Sequence, residues 1–190
     1  MSSEVIFISG TPCVGKTTVT NSLVDFMSSD FSKVEVLSIN EFAFDNDLVL
    51  GVDEDKGYKV IDVELLDKCL NEYIDKFLEC NEEGLLIVEG HLSHLCSNCM
   101  KCIVLRLNPD ILRIRLEERD YSESKVNENL EAEILGVCSA EAYNIHLDKV
   151  NEIDTTDLSI DEVCVMIKDI ILENETYPVG YVDFMEYLLK

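Results

Sequence analysis

The first strongly apolar run, Glu4 to Ser9, is short and ends at Gly10, which predicts a strand buried on both faces. Helical spacing follows from Gly15 to Met27, with Val19, Leu23, Val24 and Met27 on one face. Val34 to Ile39 predicts a second strand, Leu85 to Val88 a third and Cys102 to Leu107 a fourth. Between the second and third, Val63 to Glu79 is amphipathic, with Leu65, Leu66, Cys69, Leu70, Tyr73, Phe77 and Leu78 as its apolar set. Asn40 to Asp62 is acidic and irregular, carries Gly51 and Gly57, and reads as a loop or small insert. Pro109 suits the first turn of a helix reaching about Glu118. A polar break covers Arg119 to Lys125, and Val126 to Tyr143 reads as one helix. A weak fifth strand falls within Ile145 to Ile153, and a last amphipathic helix carries Val163, Val165, Met166, Ile167, Ile170 and Ile171. The tail Tyr177 to Tyr181 reads as an extension closed by a short amphipathic segment.

Strands alternating with helices imply an α/β fold: a five-stranded parallel sheet with helices on both faces. In such a fold ligands sit beyond the carboxyl ends of the strands. The 190 residues are enough for one such domain. The expected division is a core over residues 1–172, an insert over about 40–62, a lid over about 119–125 and an extension over 173–190.

Between the first strand and the first helix stands Gly10-Thr11-Pro12-Cys13-Val14-Gly15-Lys16-Thr17, the pattern GxxxxGK followed by Ser or Thr. This is the P-loop, in the strand–loop–helix context it requires. Its glycines let backbone N–H groups turn toward phosphates, and the helix N-terminus adds partial positive charge. Lys16 is expected at the β- and γ-phosphates of ATP. Thr17 is expected to offer its hydroxyl to Mg²⁺, and Cys13, Val14, Gly15 and Thr18 complete the cradle. The chemistry that follows is phosphoryl transfer from Mg·ATP, with a nucleoside monophosphate such as AMP, or water, as acceptor.

Glu89 ends the third strand beside this loop, where a carboxylate would hold Mg²⁺ through water; the alternative is that it merely begins a loop. His91 could place water or a phosphate oxygen. All four arginines fall between Arg106 and Arg119. Arg113 reads as a surface residue, whereas Arg115 and Arg119, four apart on one helical face, are expected to fold over the transferring phosphates. Cys96, Cys99 and Cys102, near His91 and His94, could bind zinc or part of a cluster. They lack a fourth cysteine at cluster spacing, so a structural reading of the thiols is favoured.

The formal charge of −24 argues against free nucleic acid as a direct ligand and favours a basic protein, unless it serves only solubility or a salty cytoplasm. No apolar run is long enough to span a bilayer, and no signal-peptide pattern opens the chain. A cytoplasmic protein with reduced cysteines is the expectation.

Taken together, the P-loop, Glu89-Gly90-His91, Arg106 closing the fourth strand and the run Arg115 to Tyr121 resemble the adenylate kinase isoenzyme 6 family, most of all its archaeal members. The family has Asp-x-His where this chain has Glu89-Gly90-His91, and a glycine in the lid where it has Asp120. The resemblance implies adenylate kinase and ATPase activity. It also implies a role in maturation of the small ribosomal subunit, through one of that subunit's basic platform proteins. A nucleotide-gated binding protein and a small-metabolite kinase are the rival expectations. An insert without arginine is unusual for a dedicated AMP kinase.

Overall fold

The computed structural model describes residues 2–52 and 59–189. Five parallel strands form the main sheet: β1 (Glu4–Ser9), β2 (Lys33–Ser38), β5 (Gly84–Glu89), β6 (Lys101–Arg106) and β7 (Val150–Asp154), in the order β2-β5-β1-β6-β7. Strand β1 is central because it is apolar at every interior position. Val5 and Phe7 turn to one face, Ile6 and Ile8 to the other, and all four are fully buried.

Two helical layers cover those faces. Ile6, Ile8, Ile87, Ile103 and Leu105 pack against α1 (Lys16–Met27), α4 (Pro109–Glu117), α5 (Glu123–Ile134) and α7 (Ile160–Ile171) through residues such as Leu23, Leu112, Leu130 and Ile167. Val5, Phe7, Leu86, Val88 and Val104 pack against α3 (Val63–Cys80) and α6 (Val137–His146) through Leu66, Leu70, Ile74 and Ala142. The starts of these helices are set locally. The Asp62 carboxylate accepts from Leu65 N at 3.0 Å, Pro109 stands at the start of α4 after the Asn108 cap, and Ser159 with Glu162 closes a capping box on α7.

The segment 40–62 differs from an irregular loop. It contains α2 (Ile39–Asp45), capped by Ser38, and an antiparallel hairpin of β3 (Val49–Val52) and β4 (Lys59–Ile61). Gly57 lies outside the described residues. The expected single helix over 126–143 is two helices, α5 and α6, broken at Gly136, which is left-handed with φ +64°. Helix α4 ends at Glu117, so Arg119 lies past its end and does not share a helical face with Arg115. After α7 the chain returns along β7: Tyr177 O accepts from Glu152 N at 2.7 Å, and Tyr177 N donates to Asn151 Oδ1 at 2.8 Å. Among the described residues no helix is long and apolar enough to cross a membrane.

Candidate active site

The loop after β1 turns sharply under the carboxyl edge of the sheet. Gly10 has φ +135°, and a Cβ placed there would stand 2.3 Å from Leu105 O, so no other residue fits without moving β6. Gly15, with φ +111°, leads directly into α1, whose first residue is Lys16. Between them Cys13 is also left-handed, with φ +71°. This brings Pro12 to Val19 around the base of a cleft of about 1180 Å³.

Lys16 is 8% exposed, and its Nζ donates to Gly10 O at 2.8 Å and Thr11 O at 2.9 Å. Burial pushes its pKa below the ordinary lysine value, with Cys138, Glu89, Cys13 and Glu133 pulling it back. The ammonium is thus parked on the loop's own carbonyls, from which phosphate oxygens could draw it at little cost. Thr17 is exposed to the cleft, and its hydroxyl donates to Glu89 Oε2 at 3.4 Å. Burial raises the Glu89 pKa, against the attraction of Lys16 and the Thr17 bond. A hydroxyl and a carboxylate side by side are the hard oxygen donors that suit Mg²⁺, which takes its remaining ligands from phosphates and water.

His91 is half-buried on the same wall, two residues beyond Glu89. Burial, followed by the nearby charges of Lys16, His94 and Lys125, lowers its pKa to about 4, so the ring is neutral at pH 7. From the opposite side Arg115 Nη1 donates to Cys13 O at 3.4 Å and Val14 O at 3.3 Å, which places a guanidinium over the P-loop. Arg119 lines the cleft one turn further on, beside Tyr121 and Lys125, whose ammonium lies 4.0 Å from the Tyr121 ring centre. Arg113 points away: it pairs with Glu117 and Glu123 and bonds Asn127 Oδ1 at 3.2 Å.

Every residue singled out from the sequence for the cleft, apart from Gly10 beneath it, therefore lines one cavity: Cys13, Val14, Gly15, Lys16, Thr17, Thr18, Glu89, His91, Arg115 and Arg119. Others meet them there without having been singled out. Asn40, Phe44 and Lys59 come from the insert, with Lys59 Nζ 3.9 Å from the Phe44 ring centre. Asn129 comes from α5, and Thr155 and Leu158 from the turn after β7. Two phenylalanines, Phe42 and Phe44, and two lysines, Lys56 and Lys59, in an acidic insert were the available signals, and none is specific.

Cys96, Cys99 and Cys102 lie apart from this cleft, free and buried on the other face of the sheet. Cys99 Sγ is 3.3 Å from His146 Nδ1, and His146 Nε2 is 2.9 Å from His94 O. Among the described residues no three or more His, Cys, Asp or Glu side chains are grouped to hold a metal ion.

Comparison with known proteins gives this geometry a family. Residues 6–136 match the family model described as AAA domain. A protein of Methanothermobacter thermautotrophicus named "Putative adenylate kinase" is 46% identical over 97% of this chain and 99% of its own length. Like-named proteins of Methanocaldococcus jannaschii and Archaeoglobus fulgidus are 39% and 38% identical, over 95% and 97% of this chain and 93% of each relative. Among solved structures, the fold is similar to shikimate kinase from Bacteroides thetaiotaomicron (TM-score 0.56, 17% identity, 90% of this chain and 98% of that one). It is similar also to thymidylate kinase from Candida albicans (TM-score 0.55, 13% identity, 91% and 92%). A P-loop at the carboxyl edge of a parallel sheet and nearly full-length similarity to these archaeal relatives agree: the chain belongs to their adenylate-kinase-like family of P-loop proteins.

Proposed function

We propose that the cleft transfers the γ-phosphoryl group of Mg·ATP to a nucleoside monophosphate, AMP in the first instance, with water as a slower acceptor. The observation that carries this reading is the convergence of Lys16, the Thr17–Glu89 pair and Arg115 on the P-loop within one cavity. Lys16 and the backbone N–H groups from Cys13 to Thr18 hold the phosphates. Thr17 and Glu89 would hold Mg²⁺, which supplies charge neutralisation across the β- and γ-phosphates. Arg115 and Arg119 lie on the side from which a lid over 119–125 would close. There they would spread the charge that develops on the transferring group. Neutral His91 orients the acceptor oxygen by hydrogen bonding rather than by carrying charge. The insert over 40–62 takes the acceptor nucleotide, with Phe44 for its base and Lys59 for its phosphate in place of an arginine clamp.

A second reading is favoured by one feature, the charge of −24. Here ATP binding and slow hydrolysis switch affinity for a basic protein, such as a platform protein of the small ribosomal subunit during its maturation, and transfer to AMP is incidental. Steady-state turnover of Mg·ATP, with ADP and phosphate both quantified and AMP present or absent, separates the two. ADP formed from AMP without phosphate release supports the kinase. Phosphate release indifferent to AMP supports the switch, and absence of any turnover or ATP binding defeats both.

A further inference from the structure

Behind the P-loop, outside the set of groups that face the cleft, lies a buried chain of charged and polar side chains. Glu133 on α5 is 1% exposed, Thr11 1%, Arg106 2% and Glu152 6%. The Thr11 hydroxyl donates to Glu133 Oε2. Arg106 Nε and Leu107 N donate to Glu133 Oε1 at 2.8 and 2.9 Å, and Arg106 Nη2 to Glu133 O at 2.5 Å. Arg106 Nη1 donates to Glu152 Oε1 at 2.5 Å, an oxygen that also accepts from Ser139 Oγ at 2.6 Å.

The chain does not stop at the core. Gly180 N in the C-terminal tail donates to the second oxygen of Glu152 at 3.0 Å, and the Phe184 ring centre lies 5.3 Å from the Arg106 guanidinium carbon. Tyr187 accepts from Asn108 Nδ2 at 2.8 Å, two residues beyond Arg106. At the other end, Thr11 passes the chain on through its own carbonyl, which receives Lys16 Nζ at 2.9 Å. The tail is thus linked, bond by bond, to the lysine at the base of the cleft.

Stability alone does not account for such a unit. A buried guanidinium flanked by two carboxylates can often be replaced by apolar residues without loss, because withdrawing three charges from water is costly. What it supplies is direction: charge-assisted bonds are short and geometrically demanding, so their partners move together. The packing admits little slack. Gly136, left-handed between α5 and α6, lies over the guanidinium, and a Cβ there would stand 3.3 Å from Arg106 Nη1.

We propose that Glu133 is a positioning residue for the bound triphosphate. It fixes Thr11 and through it the P-loop, and it takes its own position, through Arg106 and Glu152, from the tail segment 177–187. The tail is then a determinant of ATP affinity rather than an appendage. This rests on the cleft being the ATP site.

The test measures binding of a non-hydrolysable ATP analogue with Mg²⁺ to the full chain by calorimetry, alongside denaturant unfolding of each variant. Thr11→Val keeps the side-chain shape and removes the donor to Glu133; Kd should rise about tenfold, the equivalent of one charge-assisted hydrogen bond. Thr11→Ser, which keeps the hydroxyl, should restore Kd to within about twofold of the parent; a purely structural role would not distinguish these two in folded protein. Phe184→Ala, or Tyr187→Phe if the former does not fold, should weaken binding about threefold in the parent and add nothing in the Thr11→Val background. Unchanged affinity in Thr11→Val overturns the role of Glu133. A tail variant without effect, or with the same effect in both backgrounds, overturns the link to the tail. A parent chain that binds no ATP analogue would instead defeat the assignment of the cleft itself.

Discussion

Replacing Lys16 by Met separates stability from catalysis in this fold. Methionine keeps the length and much of the volume of the side chain while removing the ammonium. That ammonium makes two bonds, to Gly10 O at 2.8 Å and Thr11 O at 2.9 Å. Hydrogen bonds from a charged donor contribute about 1.5–3 kcal/mol each, or about 3–6 kcal/mol for the pair. Against this, keeping an ammonium 8% exposed costs several kcal/mol, and the lowered pKa of Lys16 shows burial outweighing its acidic neighbours. The two contributions nearly cancel. Unfolding free energy should therefore change by less than about 2 kcal/mol in either direction. Turnover should fall much further. Loss of one charged donor from the transferring phosphates typically costs about 10²–10³-fold, or about 3–4 kcal/mol of transition-state stabilisation. Urea unfolding and a coupled assay of ADP formation measure the two quantities on the same preparation. A variant that keeps more than about a tenth of parental turnover would refute the placement of Lys16 at the phosphates. So would one whose activity falls only in proportion to the fraction unfolded.

Three further outcomes are expected. Gly10→Ala should destabilise the chain by at least about 2 kcal/mol in urea titration. Its Cβ would meet Leu105 O at 2.3 Å and the φ of +135° disfavours any side chain; parental stability would show that β6 yields. Arg115→Ala should lower turnover about 10- to 100-fold, whereas Arg113→Ala, which breaks only exposed contacts with Glu117, Glu123 and Asn127, should leave it within about twofold; equal losses would remove Arg115 from the site. Glu35 is pushed up by burial, but its bonds from Lys33 and Tyr73 prevail and hold its pKa below the ordinary 4.5. A depressed carboxyl stabilises above its unfolded pKa and ceases to as pH falls through the folded value. Glu35→Gln should therefore cost about 0.5–1 kcal/mol at pH 7, a deficit that begins to shrink as pH falls below 4.5 and is lost once pH has passed below the folded value; a deficit constant over that whole range would contradict the bond's dependence on charge.

Most of the main sheet could be read from the sequence because four of its five strands are buried along nearly their whole length, the edge strand β2 being the exception. A run such as Val5-Ile6-Phe7-Ile8 has one stable environment, and the P-loop glycines mark where it ends. The insert was opaque for the opposite reason. Helix α2 has seven residues, too few to display a helical period, and its boundary is set by a Ser38 cap that accepts from Glu41 N at 3.5 Å. The break between α5 and α6 was hidden because apolar residues continue on both sides of Gly136, and the helical spacing bridges a glycine it should have honoured. Lys59 reaches the cleft only because a hairpin folds back over it, a tertiary fact without local signature.

The Thr11–Glu133–Arg106–Glu152 chain went unread although a physical rule pointed to it. Arg106 closes a strand that is apolar from Cys102 to Leu105, and Glu133 stands seven residues after Val126 and three after Leu130, on the stripe that α5 buries. Glu152 is flanked in β7 by Asn151 and Ile153 and is buried with them. Charged residues in such positions cannot be solvated, so each needs a partner of opposite sign inside the protein. Among the described residues Arg106 is the only buried arginine, and two carboxylates on buried positions must converge on it. Polar residues that violate an apolar period thus carry long-range information that the period cannot. They specify which elements meet, and here the elements that meet are the P-loop, the helix beside it and the C-terminal tail.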